Sequence, residues 1–434
     1  MSEEVAQTTV QSRPPGDQDD AAVRRSDFRL LWTGETVSAL GTGISGVAIS
    51  LIAVSTLQAS TFMVGLVRAA TWLPWLLIGL PAGVWIDRLS RRRTMLTCDV
   101  VALLLLLSVP VAAAAGVLGI AQVVAVALGV GASSVFFTAA YQAYLPTLVP
   151  KEGLSAANAK LQSSNQVAGV AGPGAGGLIS QSIGAAGGML ADAASFAVSA
   201  VCLMRIRTPE VRPTGERPRR NLRAEIAEGV HFVVRDPYLR VLTVAGAVDN
   251  LTWTSSMTLY VVYLVRDLHV APGLVGVLTA ADSLGGILGA LLVTRVACRF
   301  GTAHGMLLAA LGTAPFTLLI PMAGPGPRLC LFALGLMVAG AGMAVCNVLS
   351  SGFRQAYVPQ YILGRVFAST RVLQFGIIPV AAVLGGTLGT VLGVRHSLWL
   401  TLVVGVLAKS LRLLGPIRTQ RDLPTSLPSP AAVH

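Results

Sequence analysis

The chain has 434 residues, of which 53% are hydrophobic and only 12% are charged. Such a composition excludes an ordinary water-soluble domain and indicates an integral membrane protein. The formal net charge of +12 does not indicate a nucleic-acid partner, because the basic residues lie between apolar runs and not on a patch interleaved with aromatic side chains.

The first 26 residues are polar and contain no apolar core. The sequence therefore predicts a disordered tail over residues 1–26 and no cleavable signal peptide. The five cysteines lie in or beside apolar runs and show no metal-ligand spacing. We therefore expect no disulfide, no metal site and no cofactor.

Twelve apolar runs follow, each long enough to cross about 30 Å of hydrocarbon as a helix. They cover residues 29–56, 62–86, 94–116, 119–145, 161–183, 185–205, 239–264, 272–294, 303–324, 328–351, 365–391 and 395–415. The predicted fold is an all-helical membrane protein with twelve transmembrane helices in two pseudo-symmetric six-helix bundles, residues 27–205 and 238–416.

The polar segments between the runs predict the topology. With the N-terminus inside, the cytoplasmic segments hold most of the 32 lysine and arginine residues, which places both termini in the cytoplasm. The longest polar stretch, residues 206–237, is predicted to be a cytoplasmic linker with a short amphipathic segment at Leu222–Val234. Residues 417–434 are predicted to form a cytoplasmic tail.

The two halves are related in sequence. Tyr141–Pro146 reads YQAYLP and recurs as RQAYVP at Arg354–Pro359, at the ends of the fourth and tenth runs. A pair of glycines four residues apart in the second run also recurs in the eighth. Parallel repeats of this kind are typical of transporters that rock two bundles about a site near the membrane midplane.

The end of the second run carries a candidate conformational latch. Glycines four residues apart stack on one helix face and allow a neighbouring helix to approach closely. Asp87 lies at a helix C-terminus, where an anion needs a cationic partner, and a charge held in this way could stabilise one conformation. The alternative is an ordinary basic flank that stops translocation. The candidate latch residues are Gly79, Gly83, Asp87, Arg88, Arg91 and Arg92.

The fifth run contains a glycine-rich motif around a proline. Its residues are Gly169, Gly172, Pro173, Gly176 and Gly177. The proline frees a backbone carbonyl and kinks the helix, and the glycines leave a groove for a neighbouring helix. Helical spacing predicts that Gly169, Gly172 and Gly176 share one face. The alternative to a special role is a generic packing helix.

Ionisable residues inside the runs are expensive to bury and are therefore candidates for function. Asp249 and Asp282 lie nearest to mid-span, and Glu35 lies nearer to the cytoplasmic end of the first run. A carboxyl group within the membrane can take up a proton on one side and release it on the other. We therefore predict Asp249, Asp282 and Glu35 as candidates for proton coupling, with Asp249 first.

Three further residues are candidates for a substrate cavity. Asn250 follows Asp249 directly, and Trp253 lies one helical turn beyond Asp249. Arg371 lies in the eleventh run. The alternative for the tryptophan is packing or a place in an interfacial belt. For Glu35 and Arg371, a structural ion pair is an equal alternative.

Two of these motifs resemble motifs of the major facilitator superfamily. The pattern G-x-x-x-D-R-x-x-R-R that starts at Gly83 resembles the loop between helices 2 and 3 of that family, with Ser90 where the family usually has glycine. The pattern G-P-x-x-G-G that starts at Gly172 is similar to the motif associated with proton antiporters of the family.

Four short segments look like the branch of that superfamily that contains enterobactin exporters and macrolide efflux proteins. They are Phe28–Trp32, Asp192–Phe196, Arg235–Arg240 and Leu363–Val366. The resemblance implies proton-coupled efflux of a small amphipathic molecule, such as an antibiotic, a siderophore or another secondary metabolite, by a monomer in the cytoplasmic membrane.

Other functions remain as alternatives at this point. An uptake symporter or a facilitator for a small solute would use the same fold. A membrane enzyme or sensor would need a catalytic or metal constellation or a signalling domain, and the sequence shows no phosphate-binding loop or catalytic triad. We therefore expect a transporter and not an enzyme.

Overall fold

A computed structural model describes residues 15–86, 89–208 and 222–424. The candidate latch residues Asp87 and Arg88 fall between the first two ranges and so lie outside the described residues. The same holds for parts of the predicted linker and of both predicted tails.

All regular elements of the described ranges are helices, and the apolar helical segments follow the predicted order. In the first half the helices are α1 (Pro15–Leu51), α2 (Thr61–Ile86), α3 (Arg91–Ala114), α4 (Ile120–Leu148), α5 (Leu154–Ile183) and α6 (Ala185–Arg205). They correspond to the first six apolar runs.

The second half repeats this order after a linker helix. Its elements are α7 (Leu222–Arg235), α8 (Pro237–Val262), α9 (Pro272–Phe300), α10 (Thr302–Thr313), α11 (Leu319–Met322), α12 (Leu329–Tyr357), α13 (Gln360–Phe375), α14 (Ile378–Val391) and α15 (Val394–Lys409). The ninth and eleventh runs are each broken into two helices next to a proline, Pro315 or Pro379, because proline cannot continue the helical hydrogen bonds.

Ten segments of the described ranges are long and apolar enough to cross a membrane by length and composition. The two predicted spans outside this set are α5 and α8, which contain more polar side chains than the others. Asn158 and Lys160 lie in α5, and Asp249 and Asn250 lie in α8.

Two predictions about the chain ends are wrong in part. Residues 15–26, predicted to be disordered, form the start of α1, because proline suits the first helical position and a long helix extends at little cost once it has nucleated. Residues 417–423, predicted to belong to a cytoplasmic tail separate from the bundle, pack on the second half. Ile417 and Leu423 are buried in its core, and the Asp422 carboxylate accepts a hydrogen bond of 2.8 Å from the backbone nitrogen of Thr302.

The packing of the two halves is the same. In the first half α1 packs against α5 and α6, and α2 packs against α4. In the second half the corresponding helices do likewise, since α8 packs against α14 and α15, and α9 packs against α12. The pseudo-symmetry predicted from a short sequence repeat therefore extends over both bundles.

The turns that follow α1 and α8 repeat in backbone detail. Each helix ends in a π-helical turn, Ile52–Thr56 in the first half and Tyr263–Asp267 in the second. A leucine follows, and then a residue with positive φ, Gln58 at 48° or His269 at 52°. Left-handed backbone is uncommon for residues other than glycine, so its recurrence at equivalent positions supports a common ancestry of the halves.

The two halves meet along seams of glycine. We call the side of the bundle that holds the α1–α2 and α8–α9 turns the loop side, and the side that holds α7 the linker side. Toward the loop side α5 lies against α9, where a Cβ on Gly177 would come within 2.5 Å of the Pro272 carbonyl oxygen. Across the bundle α2 lies against α14, where a Cβ on Gly65 would lie 3.0 Å from the Gly386 Cα. Only glycine permits such close approach of helix backbones.

An arginine also joins the halves on the loop side. Arg266, in the turn after α8, donates a hydrogen bond of 2.6 Å to the carbonyl oxygen of Ala59 in the turn after α1. The contacts described here between the halves thus concentrate in the loop-side part of the bundle.

The glycines of α5 provide a matched pair for a test of this packing. A Cβ on Gly176 would lie 2.6 Å from the Ile44 carbonyl oxygen and 2.9 Å from its Cα, whereas a Cβ on Gly174 would meet nothing within 4 Å. We expect Gly176→Leu to lower the free energy of unfolding by about 1–3 kcal/mol, because the backbones of α1 and α5 must separate. Gly174→Leu should change it by less than about 0.5 kcal/mol.

Thermal unfolding of the purified variants in detergent measures this difference, with folded yield as a second readout. Equal melting temperatures for the two variants would contradict the packing of α5 described here.

Candidate functional site

A cavity of about 420 Å³ lies inside the second half. Its walls come from α8, α10, α12, α13 and α15 and from the short 3₁₀ segments Ala314–Leu318 and Ser410–Leu414, so every element that lines it belongs to one bundle. Its polar wall lies toward the linker side, because Arg354 and Lys409 are close to the ends of α12 and α15 there.

The three residues predicted for a substrate cavity lie together here. Trp253, Asn250 and Arg371 all line the cavity. The Asn250 side-chain nitrogen donates a hydrogen bond of 2.9 Å to the carbonyl oxygen of Gln374, which fixes its position between α8 and α13. The Trp253 ring packs edge-on against Tyr260 at a centroid distance of 6.1 Å. Their role as substrate contacts stays a prediction.

Asp249 lines the same cavity but is not a free carboxylate. Its Oδ2 atom forms an ion pair with Nη2 of Arg412, and the side chains are 20% and 6% exposed. Within the described residues, Oδ1 of Asp249 and both Nε and Nη1 of Arg412 are buried without a hydrogen-bond partner. Because the guanidinium already balances its charge, Asp249 is a poor candidate for a proton carrier, against our first choice from the sequence.

Further cations complete the wall of the cavity. Lys409 and Arg354 line it, and the Arg354 guanidinium carbon lies 5.5 Å from the centre of the Phe367 ring. Sequence reasoning missed Arg354, Lys409 and Arg412 because they lie near the ends of apolar runs, where basic residues usually mark topology. Lys409 and Arg412 lie three residues apart and so on one helix face. This spacing was the signal in the sequence that could have identified them as a pair facing a cavity.

Asp282, the second candidate for proton coupling, lies elsewhere. It is on α9 at the contact with α12, where a Cβ on Gly340 would lie 2.8 Å from its Oδ1 atom. The residues that line the cavity do not include it. The structure therefore does not bring Asp249 and Asp282 together.

Glu35, the third candidate, has an acidic neighbour that the sequence analysis missed. Asp99 on α3 is 1% exposed, and neither of its carboxyl oxygens makes a hydrogen bond of ordinary length and angle within the described residues. Oε1 of Glu35 is buried without a partner in the same way.

Both acidic residues lie where their helices pack against α6. A Cβ on Gly34, next to Glu35 in the chain, would lie 3.3 Å from the Ser199 Cα, and the Asp99 carboxyl group lies beside the Ser199 hydroxyl. The Tyr141 side chain of α4 also interacts electrostatically with Glu35. Asp99 was overlooked because it lies only a few residues after the basic segment that follows the second run. A charged residue at that position is expected at the membrane boundary.

The glycine motif of α5 serves two neighbours. Gly172 and Gly176 lie against α1, whereas Gly169 lies beside Ser283 of α9, with a Cβ distance of 3.2 Å to Oγ. Gly177 also contacts α9, and the Pro173 carbonyl oxygen faces Gly276. Gly169 thus contacts a different helix from Gly172 and Gly176, because α5 lies between α1 and α9 and its glycines divide between them.

The latch residues that the structure describes bind helix ends. Arg91 donates a hydrogen bond of 2.9 Å to the Ala143 carbonyl oxygen at the end of α4. Arg92 donates from Nε and Nη2 to the carbonyl oxygens of Leu203 and Met204, at 2.8 and 2.7 Å, in the last turn of α6. Among the described residues outside its own helical turn, nothing lies within 4 Å of a Cβ on Gly79, so the expected close approach of a helix is not seen there.

Two pseudo-symmetric six-helix bundles with a polar cavity define a transporter of the major facilitator superfamily. The family model described as "Transmembrane secretion effector" matches residues 20–429, and the chain belongs to that family. It is 28% identical to the multidrug efflux pump Tap of Mycolicibacterium fortuitum over 88% of this chain and 94% of that protein. It is 27% identical to the enterobactin exporter EntS of Escherichia coli O1:K1 over 78% and 79% of the two chains.

A solved structure shows the same fold. The crystal structure of the nucleoside transporter NupG (D323A mutant) matches with a TM-score of 0.75 over 89% of this chain and 99% of that chain, at 12% sequence identity. These comparisons confirm the superfamily and the branch that the sequence motifs indicated.

The buried ion pair can be tested by a double-mutant cycle. Arg412→Leu should lower the free energy of unfolding by about 3–5 kcal/mol, because it removes the ion-pair partner of the largely buried Asp249 carboxylate. Adding Asp249→Asn should recover most of that loss. Arg365→Leu is the matched control, since Arg365 pairs with Glu228 at 2.5 Å but both side chains are exposed, and its cost should stay below about 1 kcal/mol.

Chemical denaturation in detergent gives the four free energies of the cycle. Additive effects of Arg412→Leu and Asp249→Asn would show that the pair does not form.

Proposed function

We propose that the protein exports a small amphipathic molecule from the cytoplasm in exchange for protons. The observation that carries the proposal is a pair of neighbouring carboxyl groups, Glu35 and Asp99. Within the described residues, Oε1 of Glu35 and both carboxyl oxygens of Asp99 are buried and make no hydrogen bond of ordinary length and angle. The names of the relatives Tap and EntS support efflux, and the glycine-proline motif of α5 supports antiport.

The orientation follows from the basic residues. Because the linker side carries most of the lysine and arginine residues, we infer that it faces the cytoplasm, together with both termini. The halves are joined most closely toward the loop side, so a substrate would enter from the linker side, which is the cytoplasmic side. The cavity in the second half then lies on the route of entry.

The proton step follows from the cost of burying charge. An ionised carboxylate buried without a partner costs several kcal/mol, whereas a neutral carboxyl group costs much less. We propose that Glu35 and Asp99 hold protons while the loop side is closed. Loss of these protons to the cytoplasm would leave two carboxylates close together, and the arrangement open on the loop side would then hydrate them and load new protons from outside.

The proposal also covers the oligomeric state and the substrate class. A monomer with two six-helix halves contains both the cavity and the acidic pair, so we propose that one chain transports alone. Antibiotics, siderophores and other secondary metabolites are the proposed substrate class.

The direct test of function is transport into inverted membrane vesicles. A panel of antibiotics, siderophores and dyes is first screened for altered sensitivity or secretion in a host that expresses the chain. For any active compound we expect uptake into inverted vesicles that collapses when a protonophore is added. Transport in the opposite direction would favour an uptake symporter, and transport insensitive to the protonophore would favour a facilitator.

The acidic pair gives a specific prediction. Glu35→Gln and Asp99→Asn should each reduce gradient-driven accumulation by at least about tenfold while substrate still binds, because a neutral amide cannot release a proton. Proton movement in proteoliposomes and equilibrium binding measure the two effects separately. Glu228→Gln is the control, since this acidic residue is exposed in the linker helix.

Asp282→Asn belongs in the same series. Loss of proton movement in Asp282→Asn, with normal coupling in Glu35→Gln and Asp99→Asn, would place the proton site in the second half and contradict the proposal.

A further inference from the structure

The cavity of the second half is strongly basic. Four cationic side chains line it, and Asp249 is the one acidic residue among the described residues of its wall. The cations are Arg354, Arg371, Lys409 and Arg412. A cavity walled by apolar helices concentrates this positive field instead of screening it.

Arg412 has donors that the protein leaves unused. It is buried, and within the described residues its Nε and Nη1 atoms have no hydrogen-bond partner, since only Nη2 reaches Asp249. Nε of Arg354 is buried without a partner as well. A buried donor without an acceptor is rare in proteins, and at a cavity wall its acceptor is a water molecule or a polar group of a ligand that replaces it.

The geometry of a guanidinium limits what that ligand can be. Its planar set of N–H groups matches the two oxygens of a carboxylate or phosphate, which accept two parallel hydrogen bonds. A cationic ligand would have to approach a wall whose four positive side chains outnumber its one described acidic side chain. The charge of the wall therefore favours an anion.

We infer that this cavity binds the anionic group, a carboxylate or a phosphate, of an amphipathic molecule, with Arg412 as its anchor. Arg371 and Lys409 add charge, and Trp253 and Phe367 form the apolar part of the wall for the rest of the molecule. The volume of about 420 Å³ is in the range of cavities that bind small organic molecules. The inference rests on the proposed function, because it gives the exported molecule a chemical class.

Asp249 has a defined part in this site. It occupies one donor of Arg412 and lowers the positive charge of the cavity, so it competes with an incoming anion. Removing it should therefore strengthen anion binding, which is opposite to the effect expected for a site that binds cations.

A pair of probes that differ in one group tests the inference. Dansylglycine carries a carboxylate, and dansylglycinamide carries a neutral amide in its place. Binding is measured by fluorescence to the full chain in nanodiscs of phosphatidylcholine, without a proton gradient. We expect the carboxylate to bind at least about tenfold more tightly than the amide.

The variants give effects of opposite sign. Arg371→Gln and Arg412→Gln should remove most of that preference, and Asp249→Asn should increase the affinity for dansylglycine severalfold. Arg371 is exposed and makes no described ion pair, so its variant should fold even if Arg412→Gln does not. Arg299→Gln is the matched control, because this arginine is exposed at the end of α9 and lies outside the cavity wall.

Several results would overturn the inference. They are equal binding of the two probes, weaker binding of dansylglycine to Asp249→Asn, or an unchanged preference in Arg371→Gln. Nanodiscs that contain phosphatidylglycerol separate a lipid headgroup from a soluble anion. If that lipid abolishes dansylglycine binding in the wild type, the site is a lipid site and the inference about substrate is wrong.

The outcome is independent of the test of function. Proton-coupled export of a cationic or neutral compound together with equal binding of the two probes would leave the efflux proposal standing and reject the anion site. Selective binding of dansylglycine without proton-coupled export of any compound would leave the anion site standing and reject the efflux proposal.

Discussion

Burying an ionised side chain among apolar helices costs several kcal/mol unless a countercharge or hydrogen bonds offset it. The two halves of this transporter meet that constraint in different ways although their helices pack alike. In the second half Asp249 is paired with Arg412, and the surplus positive charge lines a cavity. In the first half Oε1 of Glu35 and both carboxyl oxygens of Asp99 are buried without a hydrogen bond of ordinary length and angle within the described residues, which suits groups that gain and lose protons. A site for an anion and a site for protons would thus occupy separate bundles.

Separate sites require that the bundles move together. The seams of α5 with α9 and of α2 with α14 contain glycines at which the two halves touch backbone to backbone. Such seams allow two rigid bodies to rock, which is the motion typical of transporters built from parallel repeats. The Arg266 hydrogen bond to the Ala59 carbonyl oxygen must break when the loop side opens, and its replacement by water would limit the cost.

Much of the fold could be predicted from sequence, because membrane helices are specified by length and apolar composition, which are local properties. The twelve runs, the amphipathic linker helix and the internal repeat follow from these alone. The candidate site could be predicted only in part. Trp253, Asn250 and Arg371 line one cavity, and their role as substrate contacts stays a prediction. The Asp249–Arg412 pair joins residues 163 positions apart, and no local pattern reports it. Asp99 was missed because a charge near the end of a run has the same local appearance whether it is buried or solvated.

The central claim is that the protonation of Glu35 and Asp99 is coupled to the arrangement of the halves. The most direct measurement is the distance between spin labels at Ser60 and Ala271, exposed residues at equivalent positions before α2 and α9, in a variant without native cysteines. The account predicts that this distance increases by several ångströms as the pH is raised, because ionised carboxylates favour the arrangement open on the loop side. The increase should be absent in the Glu35→Gln, Asp99→Asn double variant. A distance independent of pH, or the same increase in the double variant, would contradict the account.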